Sequence, residues 1–189
     1  MTLVGKIWIT SDTHFGHDRE FIWGPRGYAS AAENDADIIK KWNEVVSSED
    51  TVYHLGDVML GNNTNGMDCL SKLNGDIHII RGNHDTDARW KLYDSLPNVT
   101  LEGWATMIKY KKMNFYLSHF PTLTANLSDK SIKQCVINLF GHTHQQTNFY
   151  EDRPYMYHVG VDSHNSTPIL LDDIIEEIFT KAKECENYL

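Results

Sequence analysis

Cysteine is scarce in this chain. Its 189 residues include three, Cys69, Cys135 and Cys185, far apart and in no CxxC pair. That excludes a disulfide framework and a thiolate zinc site, and it fits a reducing, cytoplasmic setting. Basic residues are also few: 17 Lys and Arg against 26 Asp and Glu, a formal charge of −9. Sequence-independent grip on a nucleic acid or on anionic lipid needs a basic surface, so neither a long nucleic acid nor a membrane is expected as a partner. Aspartates that hold cations count as negative in that sum. Long apolar runs are missing as well. No stretch approaches membrane-spanning length, and the apolar part of "MTLVGKIWITSD" is too short for a signal peptide. There are no repeats or low-complexity tracts. The length suits one buried core, read as a single domain over residues 1–189. Nothing in the pattern speaks to oligomeric state.

What is present is an alternation of short apolar runs and polar clusters. "KIWIT" reads as a buried strand that runs into "SDTHFGHD". "NDADIIKKWNEVV" has Ile38, Ile39, Trp42 and Val45 or Val46 at helical spacing, with Asn34 as its expected N-cap. "TVYHLGD" is a second strand, ending in Asp57. "MDCLSKL" reads as a short helix between Gly66 and Asn74-Gly75, and "DIHIIRGNHD" as a third strand. The first half is therefore β-α-β-α-β, with each polar cluster at a strand's C-terminal end. A parallel sheet with a site along one edge follows. The second half is richer in strands. "TMIKYKKMNFYLSHF" predicts a hairpin turning near Lys111 to Asn114; "CVINLFGHTH", "TNFYE" and "YMYHVGVD" are further strands. A closing helix, "DDIIEEIFTKAKEC", has acidic residues at its start and lysines near its end, which suits the helix dipole.

The polar clusters supply Asp, His and Asn without thiolate: Asp12 and His14, Asp57, Asn83 with His84 and Asp85, His119, His142 and His144. Oxygen and imidazole donors suit Mn, Fe, Zn, Ni or Mg. Side chains two apart on an extended segment share a direction, so Asp12 and His14 are expected to converge, as are His142 and His144. So many candidate ligands exceed one tetrahedral ion and suit two ions with water between them.

The ordered set DxH, GDx, GNHD, a later His and GHxH resembles the calcineurin-like metallophosphoesterase superfamily over about Ile7 to Asp162. "SDTHFGHD", "WNEVV", "DTVYHLGDV" and "VGVDSHNSTPILLDDI" are similar to a small bacterial and phage branch. The resemblance implies an α/β fold, a four-layer α/β/β/α sandwich. It implies two divalent ions, Mn first among the candidates and Fe, Zn, Ni or Mg as alternatives. Asp12, His14 and His144 would hold the first ion, Asn83, His119 and His142 the second, and Asp57 would bridge them. Hydrolysis of phosphate mono- or diesters would follow, a hydroxide shared by the ions attacking phosphorus and His84 protonating the leaving oxygen. Asp85 would either orient His84 or bind backbone. A non-catalytic scaffold is the alternative, set against the intact His84.

Other residues carry open readings. His17, Arg26 and Arg81 are candidates for contact with a substrate phosphate, against structural hydrogen bonds or surface ion pairs. His54 reads as a packed residue behind the site, His78 as structural. Asp162, flanked by His158 and His164, is either an acceptor for a ligand imidazole or a turn residue. Trp23, Tyr28 and Trp104 either stack on a nucleobase or cover the core. The small size predicts a shallow, open site for a small phosphate ester or nucleotide.

Overall fold

The computed structural model describes residues 5–124 and 131–185. The first four residues of the N-terminal stretch discussed above lie outside that range. Among the described residues no helix is long and apolar enough to cross a membrane.

The first half builds β1 (Ile7–Thr10), α1 (Glu20–Trp23), α2 (Ala31–Val45), β2 (Thr51–His54), α3 (Asn63–Leu70), β3 (Asp76–Ile80), α4 (Asp87–Tyr93) and β4 (Val99–Gly103). The second half adds β5 (Ala105–Tyr110), β6 (Met113–Ser118), β7 (Val136–Phe140), β8 (Met156–His158), β9 (Ile169–Leu170) and α5 (Leu171–Glu184). One sheet has the order β4-β3-β2-β1-β9, the other β5-β6-β7-β8. In the first, β1 to β4 pair in parallel and β9 joins antiparallel. In the second, β6, β7 and β8 are parallel and β5 is antiparallel.

Alternation along β1 divides the core. Trp8 faces a layer with Ile38 and Trp42 of α2, Leu70 of α3 and Tyr93 of α4. Ile9 faces the second sheet, where Phe115, Leu117, Ile137 and Leu139 fill the space between sheets. The apolar stripe of α5 (Leu171, Ile174, Ile175, Ile178 and Ala182) joins that same inter-sheet core. Helices and two mixed sheets thus stack as the expected α/β sandwich.

Several local expectations are corrected. The N-cap of α2 is Ser30, whose side chain accepts from the Glu33 N–H at 3.1 Å. Asn34 instead lies inside the helix and accepts from Arg26. Gly66 lies within α3, which starts at the Asn62 cap. "TNFYE" is not a strand: only Phe149 pairs, with Tyr157, and positive φ at Glu151 and Asp152 breaks the extension. The hairpin, by contrast, turns where expected, on Lys111 and Lys112, with φ of 47° and 67°, the two-residue geometry that matches strand twist.

Parallel strands send their following loops to one edge. The loops after β1, β2 and β3 meet there, and so do those after β6 and β7. A lone parallel bridge, Ser11 to Gly160, ties the two sheets at this edge. Two histidines lie buried behind it. Burial pushes the imidazoles of His54 and His158 down to about 4. Both stay neutral in the folded protein while the unfolded chain takes up protons near pH 6.5. Stability is therefore lost as pH falls from about 6.5 toward 4. In chelator, one such histidine accounts for about 2 kcal/mol between pH 7 and pH 5. Urea unfolding at both pH values should show that His54→Gln flattens the dependence by about that amount; an unaltered slope would contradict the assignment.

Candidate metal centre

The loops that carry the polar clusters are not extended. Asp12, His14, Asp57, His142 and His144 all have left-handed backbone, with φ of 58°, 49°, 55°, 68° and 48°. The expected convergence by strand alternation is thus corrected: Asp12 and His14 converge through two left-handed turns, while His142 and His144 part, His144 toward His14 and His142 toward His119. The strain, on the order of 1 kcal/mol per residue, is held by flanking hydrogen bonds. Asp12 N–H donates to Gly56 O, His14 N–H to Asp57 O and Phe15 N–H to Val58 O, at 3.0 to 3.1 Å. The loops after β1 and β2 therefore run side by side. A third loop presses in: a Cβ on Gly56 would lie 2.5 Å from Gly82 N, so glycine is required for that approach.

Two groups of donor atoms result. Asp12, His14 and His144 form one; Asp12, Asp57 and His119 form the other. His14 Nε2 lies 3.2 Å from His144 Nε2, 4.0 Å from Asp12 Oδ1 and 3.7 Å from Asp57 Oδ2. His119 Nε2 lies 3.5 Å from the same Asp57 oxygen and 2.9 Å from Asn83 Oδ1. Asp57 Oδ2 thus stands between His14 and His119. His142 lines the cleft and packs against His119 and Phe120, with ring centroids 5.0 and 4.7 Å away, but its ring is in neither donor group.

The donor set fits a divalent cation on hydrogen-bond grounds. His119 Nδ1 lies 2.8 Å from Leu55 O, an acceptor only, so Nδ1 carries the proton and Nε2 presents a lone pair. That lone pair faces carboxylate oxygen. His144 Nδ1 is likewise committed to Asp162 Oδ2 at 2.8 Å, turning its Nε2 toward His14 Nε2. The His119 lone pair facing buried oxygens needs a cation or a proton between them, whereas His14, whose Nδ1 has no partner, can donate from Nε2 to His144 when no ion is bound. The electrostatics agree. Burial pushes Asp57 up to about 6 against the pull of His119, with Asp12 and Asp85 adding to the rise. Burial alone would raise Asp12, but His119, His144 and His14 hold it below the usual range. Burial drives His14 well below its ordinary value. Burial would lower His144, yet its bond to Asp162 and the charge of Asp12 raise it.

The remaining predicted residues find other places. Asp85 binds backbone: its carboxylate accepts from the N–H groups of Asp57, Val58 and Gly82 and from Tyr93 OH. It is a positioning residue for the loop of Asp57. Arg26 does not face substrate. It is buried, paired with Asp162 at 2.8 Å, and donates to the carbonyls of Asp12 and Thr13. Asp162 is thereby the acceptor for the His144 imidazole and not a turn residue alone. Arg81 also points away, donating to Asp85 O and lying over Trp90 and Trp104. His17 does line the cleft, as does His84, whose Nε2 is 3.9 Å from Asp57 Oδ2. His54 bonds Thr13 at 3.0 Å, between two ligand candidates. His78 meets Glu102 at the surface, and His164 meets His158 O. Trp23, Tyr28 and Trp104 are absent from the cleft lining.

The cleft itself holds about 450 Å³. It is lined by imidazoles and also by Phe21, Ile22, Pro25 and Leu60. The segment around α1 thus adds an apolar wall to the cleft. No sequence pattern had pointed to this wall, because α1 is four residues long and Leu60 comes from a different loop. Ser11, which donates to Asp12 at 2.5 Å, and Arg89, which donates to the His84 carbonyl at 2.6 Å, were also unforeseen.

Residues 6–166 match the model of the calcineurin-like phosphoesterase superfamily domain. The chain is 31% identical over 183 residues to an uncharacterised protein of Methanocaldococcus jannaschii, covering 92% of this chain and 91% of that one. It is 28% identical over 200 residues to the gene 66 protein of Mycobacterium phage D29, covering 93% and 96%. A solved structure of a protein of unknown function from Aquifex aeolicus superposes with a TM-score of 0.68 at 22% identity, covering 92% of this chain and 99% of that one, and shares the fold. The chain belongs to the calcineurin-like phosphoesterase superfamily. Membership supports a metal-dependent phosphoesterase as the class of protein.

The His144–Asp162 bond gives a test. A proton on His144 competes with a metal ion, so uptake weakens as pH falls through the raised imidazole pKa. Asp162→Asn keeps an acceptor but removes the charge. Mn²⁺ titration calorimetry should show affinity at pH 8 reduced about 10- to 100-fold, with a smaller further loss at pH 6 than in the native protein. Identical pH dependence in both proteins would contradict the role given to Asp162.

Proposed function

We propose that this protein hydrolyses phosphate mono- or diesters at a dinuclear centre. The observation that carries the reading is the convergence of His14 and His119 on one oxygen of Asp57, at 3.7 and 3.5 Å. Asp12, His14 and His144 would hold one ion and Asn83, His119 and His142 the other, with Asp57 shared. His142 would swing its ring inward to do so. Mn²⁺ is the first candidate, because nitrogen and oxygen donors without sulfur suit it. When bound, such a pair of ions activates water near neutral pH and neutralises phosphoryl charge.

The chain's own groups do the rest. Asp57 is held twice over, by Asp85 on its N–H at 2.8 Å and by its Oδ1 accepting the His84 N–H at 2.8 Å. The same contact fixes His84 at the mouth of the cleft, where Arg89 secures its carbonyl. His84 is half-exposed and its Nε2 faces the reaction space, so it is placed to protonate the leaving oxygen. His17 lines the cleft beside His14, with ring centroids 6.1 Å apart, and is the remaining candidate to touch substrate. The cleft suits a small ester or nucleotide, and the acidic surface disfavours a long nucleic acid.

Turnover of p-nitrophenyl phosphate or its bis-ester with Mn²⁺, abolished by chelator, is expected. His84→Ala should keep both ions and lose about 10²- to 10⁴-fold in kcat. The loss should be larger for an alkyl ester than for a nitrophenyl ester, whose leaving group needs less help from an acid. No metal-dependent turnover of any ester would sink the reading; an equal loss on both esters would remove His84 from the acid role.

A further inference from the structure

The apolar residues that line the cleft have no part in holding ions or moving protons. Phe21 is the most exposed of them, at 68% of its surface. Exposed aromatics are ordinary on protein surfaces when scattered. This one lines the cleft, alongside Ile22, Pro25 and Leu60, while the other exposed large apolar residues, Trp104 and Phe120 among them, do not.

Its neighbours link it to the reaction space. The Phe21 ring meets His17 edge to face at 5.3 Å, and His17 meets His14 in the same manner at 6.1 Å. His14 in turn lies 5.6 Å from the His84 ring. A path of rings therefore leads from the candidate acid to Phe21. His17 Nδ1 accepts the Arg19 N–H at 3.0 Å, so in the neutral ring Nε2 carries the proton. That N–H has no hydrogen-bond partner among the described residues and is available to an ester or phosphate oxygen in the cleft. A donor and an adjacent exposed aromatic face make a composite site. A cleft of about 450 Å³ accommodates a phosphoryl group together with one ring system.

We propose that Phe21 and His17 form a subsite for a flat aromatic group carried by the substrate, so that the protein acts on phosphate esters of a nucleoside or of an aryl alcohol. The ring lies against Phe21 while His17 Nε2–H holds an oxygen of the same ligand. This rests on the phosphoesterase reading and names its substrate class.

Binding separates the two ideas, because it does not require turnover. Dissociation constants are measured on the Mn²⁺-loaded protein for phenylphosphonate against butylphosphonate, and for adenosine 5′-monophosphate against ribose 5-phosphate. Within each pair the phosphoryl end is alike and only one member carries a ring. The native protein should prefer the ring-bearing member by about fivefold in at least one pair. Phe21→Ala should abolish that preference and Phe21→Trp should retain it. Phe21 is exposed on a short helix, and circular dichroism of each variant checks folding. A preference in the adenosine pair, with or without one in the phenyl pair, assigns a nucleoside; a preference in the phenyl pair alone assigns an aryl ester. No ring preference in the native protein, or one that survives in Phe21→Ala, would overturn the proposal. Failure of the phosphoesterase reading would appear differently, as absent ester turnover with these binding preferences intact.

Discussion

Two hydrogen bonds on the outer nitrogens of imidazole rings govern this molecule's chemistry. Leu55 O takes the Nδ1 proton of His119, and Asp162 takes that of His144. Each bond fixes which nitrogen is left bare and where it points. Both bare nitrogens point into a pocket already lined by the carboxylates of Asp12 and Asp57. A neutral metal-free pocket would leave the bare nitrogen of His119 facing the oxygens of Asn83 and Asp57, which a buried site tolerates only with a cation or a proton between them. The sheets, the glycines and the buried arginine all serve to hold that unfavourable arrangement in place.

The cost of holding it is visible in the backbone. Five candidate ligands adopt left-handed φ, a conformation that side chains with a Cβ resist. What offsets the strain is a layer of buried polar contacts one step behind the ligands. Asp85 gathers three backbone N–H groups and Tyr93 OH. Arg26 reaches from the start of the chain to Asp162 near its end, and on the way ties down the carbonyls of Asp12 and Thr13. A buried ion pair of this kind contributes little net stability against an apolar replacement. Its effect here is geometric, since it sets the distance between the loop of Asp12 and the carboxylate that orients His144.

The sequence disclosed the ligand candidates better than their supports. Asp, His and Asn at strand ends are chemically conspicuous, and the alternation of apolar runs placed β1, β2, β3 and β7 correctly. Asp12 and His14, two apart, do meet, but through left-handed turns and not by strand alternation, and His142 and His144 do not meet at all. Arg26 and Arg81 were readable as phosphate contacts or as surface ion pairs, because an isolated arginine suits either. Only the fold shows that one is buried against Asp162 and the other lies over tryptophans. Asp162 was readable as one of two things, and the contact with His144 decides between them. The wall of Phe21, Ile22, Pro25 and Leu60 was illegible, since its members have no common period and are assembled by the meeting of two loops. Short elements such as α1 and β9 escaped for the same reason: too few residues to repeat a pattern.

The account stands on the inward lone pairs being the ligands of two ions that share Asp57. Crystals grown with Mn²⁺ and measured at its absorption edge test this directly. The account predicts two anomalous peaks roughly 3.5–4 Å apart, one beside His14 and His144, the other beside His119 and Asn83, with the Asp57 carboxylate touching both. A single peak, or none at full Mn²⁺ saturation, would contradict it.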